Sequence, residues 1–486
     1  MSLFRRRLWP YLLAGTGLVL SVSALSVYRA FRNFRPEALL ASPFVQNEIK
    51  RRVGEDHAPL FALMPDLLGF GQPRTFLVLF LNNTELRPGG GFIGVYAVVR
   101  ADRGRTSVLK IEGTENIDNA AAKDKLPEPL PVMKDHLKVD RWYFRDANWS
   151  PDFAASARQA LDLYRREGGT AAAEIDTVVG VTATVLEELM RLTGPVSVQG
   201  VEFAAGTVIE KLEYEVEYGY QEDGIHLTKR KQIIEPLMHA VLARSGEQVI
   251  GRSKEYVGVL DRLARERHLM LYSEDETFAG KLRDLDLSGA VKPAAGDYLL
   301  WADANLAALK TDHAIERGLN YELLPLPGGG YEARASMTYR HTGKFDWRTS
   351  RYRTYARVFV PPGAELVGAA GAMKWDRTVG EGPVDTGEEL SKRWFGAFIA
   401  IEPGQTKTLT FRYKLPQPTA DQIAQGSYNL SVQKQLGTIA PGLTLDLDFG
   451  RIVTGAAPAE EPGKWHDARY QIASDLREDR EFSIRF

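Results

Sequence analysis

The chain has 486 residues, 44% hydrophobic and 26% charged, a length that suits about two or three domains with sizeable cores. That composition excludes wholesale disorder and a collagen-like fibre. A formal net charge of −2 argues against a dedicated nucleic-acid binder, and the absence of cysteine excludes a disulfide scaffold, a Cys-ligated zinc site, an iron–sulfur cluster and a thiol nucleophile.

Arg5, Arg6 and Arg7 precede Leu8–Tyr28, a stretch without a charge. As a helix it spans roughly 30 Å, the thickness of a bilayer core. Pro10 sits in the first turn, and Trp9 and Tyr28 lie near the two interfaces. The apolar core is longer than a signal peptide's, and Tyr28-Arg29-Ala30-Phe31 makes a poor cleavage site. Residues 1–35 therefore read as a cytoplasmic stub and a single transmembrane anchor, with the bulk of the chain extracytoplasmic. Residues 36–72 read as a helical linker region.

An α/β domain is expected over residues 73–325, a mixed sheet with flanking helices. Thr75–Leu81 is a continuous apolar run, the pattern of a strand buried on both faces. Gly91–Val99 and Val108–Ile111 read as two more strands. Ser150, Pro151 and Asp152 look like the start of a helix, with Ser150 as its cap. That helix stops at Gly168-Gly169. Ile175–Val181 reads as a strand, and Thr184 with Glu187 as a capping box for the next helix. Helices follow around Ile233–Leu242 and Tyr256–Leu269, and Tyr298–Ala302 is a strand. Lys229-Arg230-Lys231 reads as a charged helix start.

After Pro325 the texture becomes all-β. Six strand-like runs recur between turns: Tyr331–Tyr339, Thr354–Val360, Phe395–Ile401, Lys407–Tyr413, Tyr428–Gln433 and Leu443–Leu447. With no long helical period among them, residues 326–455 read as an immunoglobulin-like sandwich without its disulfide. Residues 456–486 read as an acidic linker and a C-terminal tail.

Three polar clusters are candidates for chemistry. The first is Asn82, Glu85, Arg87, Gly89, Gly90 and Gly91, directly after the expected central strand, where ligands of open α/β sheets bind. Its glycines allow close backbone approach, and Arg87 can grip a phosphate bidentately. Gly89, Gly91 and Gly94 satisfy G-x-G-x-x-G, but a strand follows where a dinucleotide site needs a helix. The plain alternative is a glycine-rich hairpin whose Arg87 pairs with Glu85 or another carboxylate. The second cluster is Arg145, Asp146, Asn148 and Asp152 at a helix start, with Arg145 as an anion ligand and Asp146 as a base. Capping and an ion pair explain the same residues structurally. The third is Asn305, Lys310 and Asp312, which a solvated turn also explains. Walker, G-x-S-x-G and H-E-x-x-H signatures are missing, and Ser431–Lys434 matches S-x-x-K only within a strand pattern.

LVLFLNNTELRPGGGFIGVYAVV, DANWSPDFAASARQALDLYRREGG, IDTVVGVTATVLEELMRLTGPVSV, NLAALKTDHAIERGLNYEL and YNLSVQKQLGT together resemble the bacterial domain-of-unknown-function family 4012. That resemblance implies a membrane-anchored, extracytoplasmic protein. The order of elements is also similar to the LytR–CpsA–Psr glycopolymer phosphotransferases. This similarity implies arginines and aspartates that hold a polyprenyl pyrophosphate with a divalent cation such as Mg. Arg87 corresponds to an arginine after that family's first strand, and Arg145-Asp146 to its Arg-Asp pair. Asn82-Asn83 stand where that pattern has an aspartate. The expected function is a cell-envelope protein that binds a polyprenyl-linked or wall glycopolymer and, in the catalytic version, transfers it. The alternative is a non-catalytic scaffold that meets a protein partner through the sandwich.

Overall fold

A computed structural model describes residues 42–486 apart from Asp223 and Val379. The anchor expected at Leu8–Tyr28 lies outside the described residues. Among the described residues no helix is long and apolar enough to cross a membrane.

The chain enters through helix α1 (Pro43–Val53), capped by Ser42, whose hydroxyl accepts the Val45 N–H at 3.3 Å. Strands β1 (Arg74–Asn82), β2 (Phe92–Asp102) and β3 (Arg105–Gly113) form an antiparallel meander. Helix α2 (Phe153–Arg166), strand β4 (Thr177–Thr182) and helix α3 (Ala183–Thr193) follow. A two-stranded ribbon, β5 (Val196–Val198) and β6 (Val201–Phe203), leads to helices α4 (Val208–Tyr214), α5 (Ile234–Gln248) and α6 (Ser253–Arg265). Strand β7 (Leu269–Ser273) completes a five-stranded sheet of order β3-β2-β1-β4-β7. It is a mixed sheet: β4 runs parallel to β1, and the other pairs are antiparallel.

The apolar run of β1 is buried on both faces, as its composition requires. Phe76 and Val78 pack with Val185, Leu189 and Leu260 on one side. Leu77, Leu79 and Leu81 pack with Phe153, Ala157 and Leu161 on the other. Strand alternation sends successive side chains to opposite layers.

Local signals shift in three places. The cap of α2 is Asp152, not Ser150, because the Asp152 carboxylate accepts the Ala155 N–H at 2.7 Å. Thr184 lies inside α3, where its hydroxyl accepts the Asn83 amide at 3.0 Å, and Glu187 pairs with Arg191, so no capping box forms. The helix expected to reach Leu269 ends at Arg265, and Leu269 opens β7.

The second unit is two sheets around one core. The seven-stranded sheet takes β8 (Asp297–Asn305), β11 (Tyr352–Val360), β13 (Asp385–Glu389), β14 (Lys392–Ile401), β16 (Ser427–Gln433), β18 (Gly455–Ala457) and β20 (Arg480–Arg485). The six-stranded sheet takes β9 (Ile315–Pro325), β10 (Tyr331–His341), β12 (Glu365–Ala370), β15 (Thr406–Lys414), β17 (Gly442–Asp448) and β19 (Arg469–Asp475). Leu299 and Trp301 of β8 meet Leu319, Tyr321, Met337 and Phe411 of the facing sheet.

All six expected β strands are present, yet the unit differs from the expected sandwich. It begins at β8 rather than after residue 325. The tail supplies three strands, β18, β19 and β20, rather than a loose end. A short helix, Gln417–Ala424, interrupts the strands. Each sheet also contains a parallel pair, β16 with β8 and β17 with β9. Six and seven strands with parallel pairs exceed the seven to nine of an immunoglobulin domain. The physical reason is β8: its residues are buried along the whole strand, a pattern that the sequence cannot assign to one sheet or another.

Candidate functional site

Most of the candidate residues meet at one place, the seam between the two units. Arg87 is 2% exposed. Its Nε and Nη2 donate to Asp146 Oδ1 at 3.3 and 3.1 Å, and Nη1 donates to the Asn305 carbonyl at 2.7 Å. Glu85 lies 3.5 Å from Nη2, and the Phe92 ring sits 5.4 Å below the guanidinium. Asn305 N–H donates to the Leu86 carbonyl at 2.8 Å, and Leu86 N–H to Asp312 Oδ2 at 2.9 Å. The Asn305 amide bridges to the same Asp312 oxygen at 2.8 Å. Asp312 also takes Arg317, itself held by Asp303 at 2.9 Å. All three sequence clusters are thus represented in one hydrogen-bonded network.

The glycine run belongs to this seam. A Cβ on Gly89 would lie 2.7 Å from Asn148 Cβ, and one on Gly91 2.5 Å from the Asn82 carbonyl carbon. Gly90 and Gly91 have φ of 117° and 145°, which favour glycine. Gly89 bridges to Leu436 of the second unit, and Asn83 donates to the Gly437 carbonyl at 3.0 Å. Asn148 donates to the Gly91 carbonyl at 2.5 Å. The loop is packed against protein on every side that these contacts define, so it does not cradle a phosphate.

Two expected site residues stand apart. Arg145 pairs with Asp118 rather than with Asp146 or Arg87. Asp152 caps α2 and accepts the Val291 N–H at 2.8 Å. Both have structural partners.

Beside the seam lies an apolar cavity of about 220 Å³. It is bounded by β1 and β4 on one side and by α3, α4 and α5 on the other. Phe80, Val185, Leu189, Leu212, Val216 and Met238 supply its apolar wall. Asn82, Glu85, Glu213, Glu217, Arg230, Lys231 and Lys310 supply its polar edge. Lys310 and Arg230 both hold Glu217, at 3.0 and 2.6 Å. Burial opposes ionisation of Glu217, but the two cations keep its carboxyl below the ordinary range. Lys231 reaches the Gly94 carbonyl at 2.6 Å and the Glu115 carboxylate. Burial lowers the Lys231 ammonium from its usual value, against the pull of Glu115. Burial raises the Glu85 carboxyl, against Arg87 and Lys310. Asn82 donates to Glu213 at 3.1 Å, and Arg348 donates to the same carboxylate at 2.6 Å.

Of the expected binding residues, Asn82, Glu85 and Lys310 face this cavity. Sequence reasoning missed Glu213, Glu217, Arg230 and Lys231. The run Lys229-Arg230-Lys231 is not a helix start, since α5 begins at Ile234. The legible signal was an apolar helix face, Ile209, Leu212 and Val216, interleaved with glutamates.

A divalent cation does not fit these residues. Asp146 is taken by Arg87, Asp312 by Arg317, and Asn82-Asn83 offer amides where a carboxylate is needed. Among the described residues no group of three His, Asp or Glu side chains is placed to hold a metal ion.

Residues 71–217 match the family model described as "Protein of unknown function (DUF4012)". The resemblance read from the sequence holds over that segment, which runs from β1 to the cavity-lining Glu217. No match was found among curated proteins. An M1 zinc metallopeptidase from Deinococcus radiodurans aligns at 11% identity and a TM-score of 0.19, covering 35% of this chain and 42% of that one. A putative protease from Parabacteroides distasonis aligns at 10% identity and a TM-score of 0.20, covering 36% and 41%. The aligned segments take in less than half of either relative. Likeness at that level carries neither fold nor chemistry to this chain.

Proposed function

We propose that this chain, of the DUF4012 family over residues 71–217, is a membrane-anchored, extracytoplasmic protein of the bacterial cell envelope that binds a lipid-linked glycan. The α/β unit takes an amphiphile of the polyprenyl-phosphate class. An apolar segment of its tail lies in the cavity, and its anionic head lies against Lys310, Arg230 and Lys231. One observation carries the reading: an apolar cavity with a charged edge, where Lys310, Arg230 and Lys231 stand among the carboxylates of Glu217 and Glu115 that pair with them. Its volume is below the roughly 300–1,000 Å³ of drug-sized sites, so it suits part of a chain. The uncharged Leu8–Tyr28 stretch supports the anchor.

The reading is of binding, without transfer. A transferase needs Arg87 on the pyrophosphate, and that guanidinium is enclosed by Asp146 and the Asn305 carbonyl. Freeing it leaves a buried carboxylate unpaired, a cost of about 3–5 kcal/mol.

The test is native mass spectrometry of the detergent-extracted full-length protein with farnesyl pyrophosphate as probe. The wild type is expected to carry an adduct. Leu212→Trp, which fills the cavity, and Lys310→Glu, which sets a carboxylate beside Glu217, are expected to lose it while both variants still unfold cooperatively. Arg87→Ala is expected to lower stability rather than abolish the adduct selectively. An adduct that persists in both cavity variants, or none in the wild type, overturns the proposal.

A further inference from the structure

The helical segment that walls the apolar cavity carries exposed aromatic rings on its other side. Ile209, Leu212 and Val216 of residues 208–219 line the cavity. Tyr214 and Tyr218 of the same segment are 37% and 42% exposed. Their rings stack with centroids 6.0 Å apart. Trp347, in the loop between β10 and β11, meets both rings edge-on at 5.6 and 5.7 Å. Phe345 of that loop is 63% exposed. Arg348 joins the loop to the helix by donating to Glu213, which borders the cavity. The aromatic patch therefore spans both units and backs directly onto the cavity.

Grouped exposed aromatics mark a surface that meets a partner or a membrane. The chain outside the described structure selects the membrane. Fourteen residues (42 − 28) separate Tyr28, the end of the uncharged stretch, from Ser42, where the described structure begins. In any conformation they span at most roughly 50 Å. A folded body of this size has a radius of gyration of roughly 22 Å. The tether thus keeps the folded part close to the bilayer that the stretch enters, and side-chain chemistry decides which face turns to it. Tyrosine and tryptophan favour the headgroup level, where one end of the ring is apolar and the other is wet. Phenylalanine favours the acyl boundary just below. Charge does not supply the attraction. Lys344 is exposed beside Phe345, but Glu222 accepts the Tyr214 hydroxyl at 3.1 Å, and Asp346 accepts the Arg348 and Thr349 N–H groups at 2.8 and 2.7 Å. These groups leave no cationic excess to draw anionic lipid, so the contact rests on the rings.

We infer that Tyr214, Tyr218, Phe345 and Trp347 form a membrane-surface contact, which seats the folded part on the headgroup layer of the bilayer that holds its anchor. The inference rests on the anchored, lipid-binding reading and deepens it: the helix that walls the cavity is the element that touches the membrane, so an amphiphile moves between bilayer and cavity over a short path.

The chain has no cysteine, so one introduced thiol reports one position. The experiment places the full-length protein, one copy per disc, in phosphatidylcholine nanodiscs that contain a nitroxide-labelled lipid. An environment-sensitive fluorophore is attached at Phe345→Cys or, with the phenyl ring kept, at Lys344→Cys. Both labels are expected to lose at least half of their emission to the nitroxide, at low and at high salt. A label at Ile452→Cys, an exposed apolar position outside the patch, is expected to keep its emission. Tyr218→Ser in the Lys344→Cys background is expected to reduce the quenching while the farnesyl pyrophosphate adduct in detergent persists. No quenching at either patch position, equal quenching at Ile452→Cys, or a label shielded from water yet unquenched by the lipid overturns the inference, the last because protein would then cover the patch. Failure to enter the discs overturns the anchor and this inference with it. A missing adduct in detergent beside normal quenching overturns the cavity reading alone.

Discussion

At the scale of single residues, the buried charges divide into those that hold the seam and those that hold a proton. Arg87, Asp146, Asp312 and Arg317 form ion pairs in which each charge has an opposite partner. Glu167 differs. It accepts the Phe144 N–H at 2.8 Å and stands near the fully buried Asp118 carboxylate. Burial and that neighbouring charge push the Glu167 carboxyl up to about 9, from an ordinary value of 4.5. The folded protein therefore keeps a proton that the unfolded chain releases above about pH 4.5. Stability from this group is full below that pH and is lost as pH rises towards 9. Glu167→Gln retains an oxygen for Phe144 N–H and removes the titration. Thermal unfolding between pH 5 and 9.5 is expected to show a wild-type melting temperature that falls by several degrees more than the variant's. Equal slopes would mean that the proton resides elsewhere.

At the scale of elements, loops join the two units. The Asn82–Gly91 loop follows β1, and the Gln435–Thr438 turn follows β16. Gly437 has a φ of 79°, and a Cβ there would lie 2.0 Å from the Gly90 carbonyl oxygen. Gln435 donates to the Asp303 carbonyl at 2.8 Å. Gly437→Ala therefore adds a backbone collision to the cost of a left-handed residue. The loss is expected to exceed the about 1–2 kcal/mol of the conformation alone, read as a shift in the urea midpoint. A neutral outcome would show that the turn and the glycine loop move apart freely. The strands β1 and β16 were legible as apolar or alternating runs. The contact between the loops that follow them was not, because Gly91 and Gln435 lie hundreds of residues apart and neither loop carries a periodic signal.

At the scale of the molecule, the C-terminal residues close both sheets of the second unit. Strand β19 pairs with β17, and β20 pairs with β16 and β18. Tyr470, Phe482 and Ile484 enter the shared core. Deleting residues 456–486 bares β16 and β17 as unpaired edges, which promote association between chains. The expected result is aggregated protein by size exclusion, where the full chain elutes as a single species. A soluble, monodisperse truncation would make these strands dispensable. The sequence by itself determined the central strand, the switch from α/β to all-β texture, six strands of the second unit and the residues of the polar clusters. Apolar periodicity and turn chemistry are local, and they are written in consecutive residues. Only the tertiary structure decided that β8 opens the second unit, that the clusters lock into a closed seam, and that an apolar cavity lies beside it. Those outcomes depend on which buried faces meet, and side chains hundreds of residues apart choose their partners only when the chain has folded.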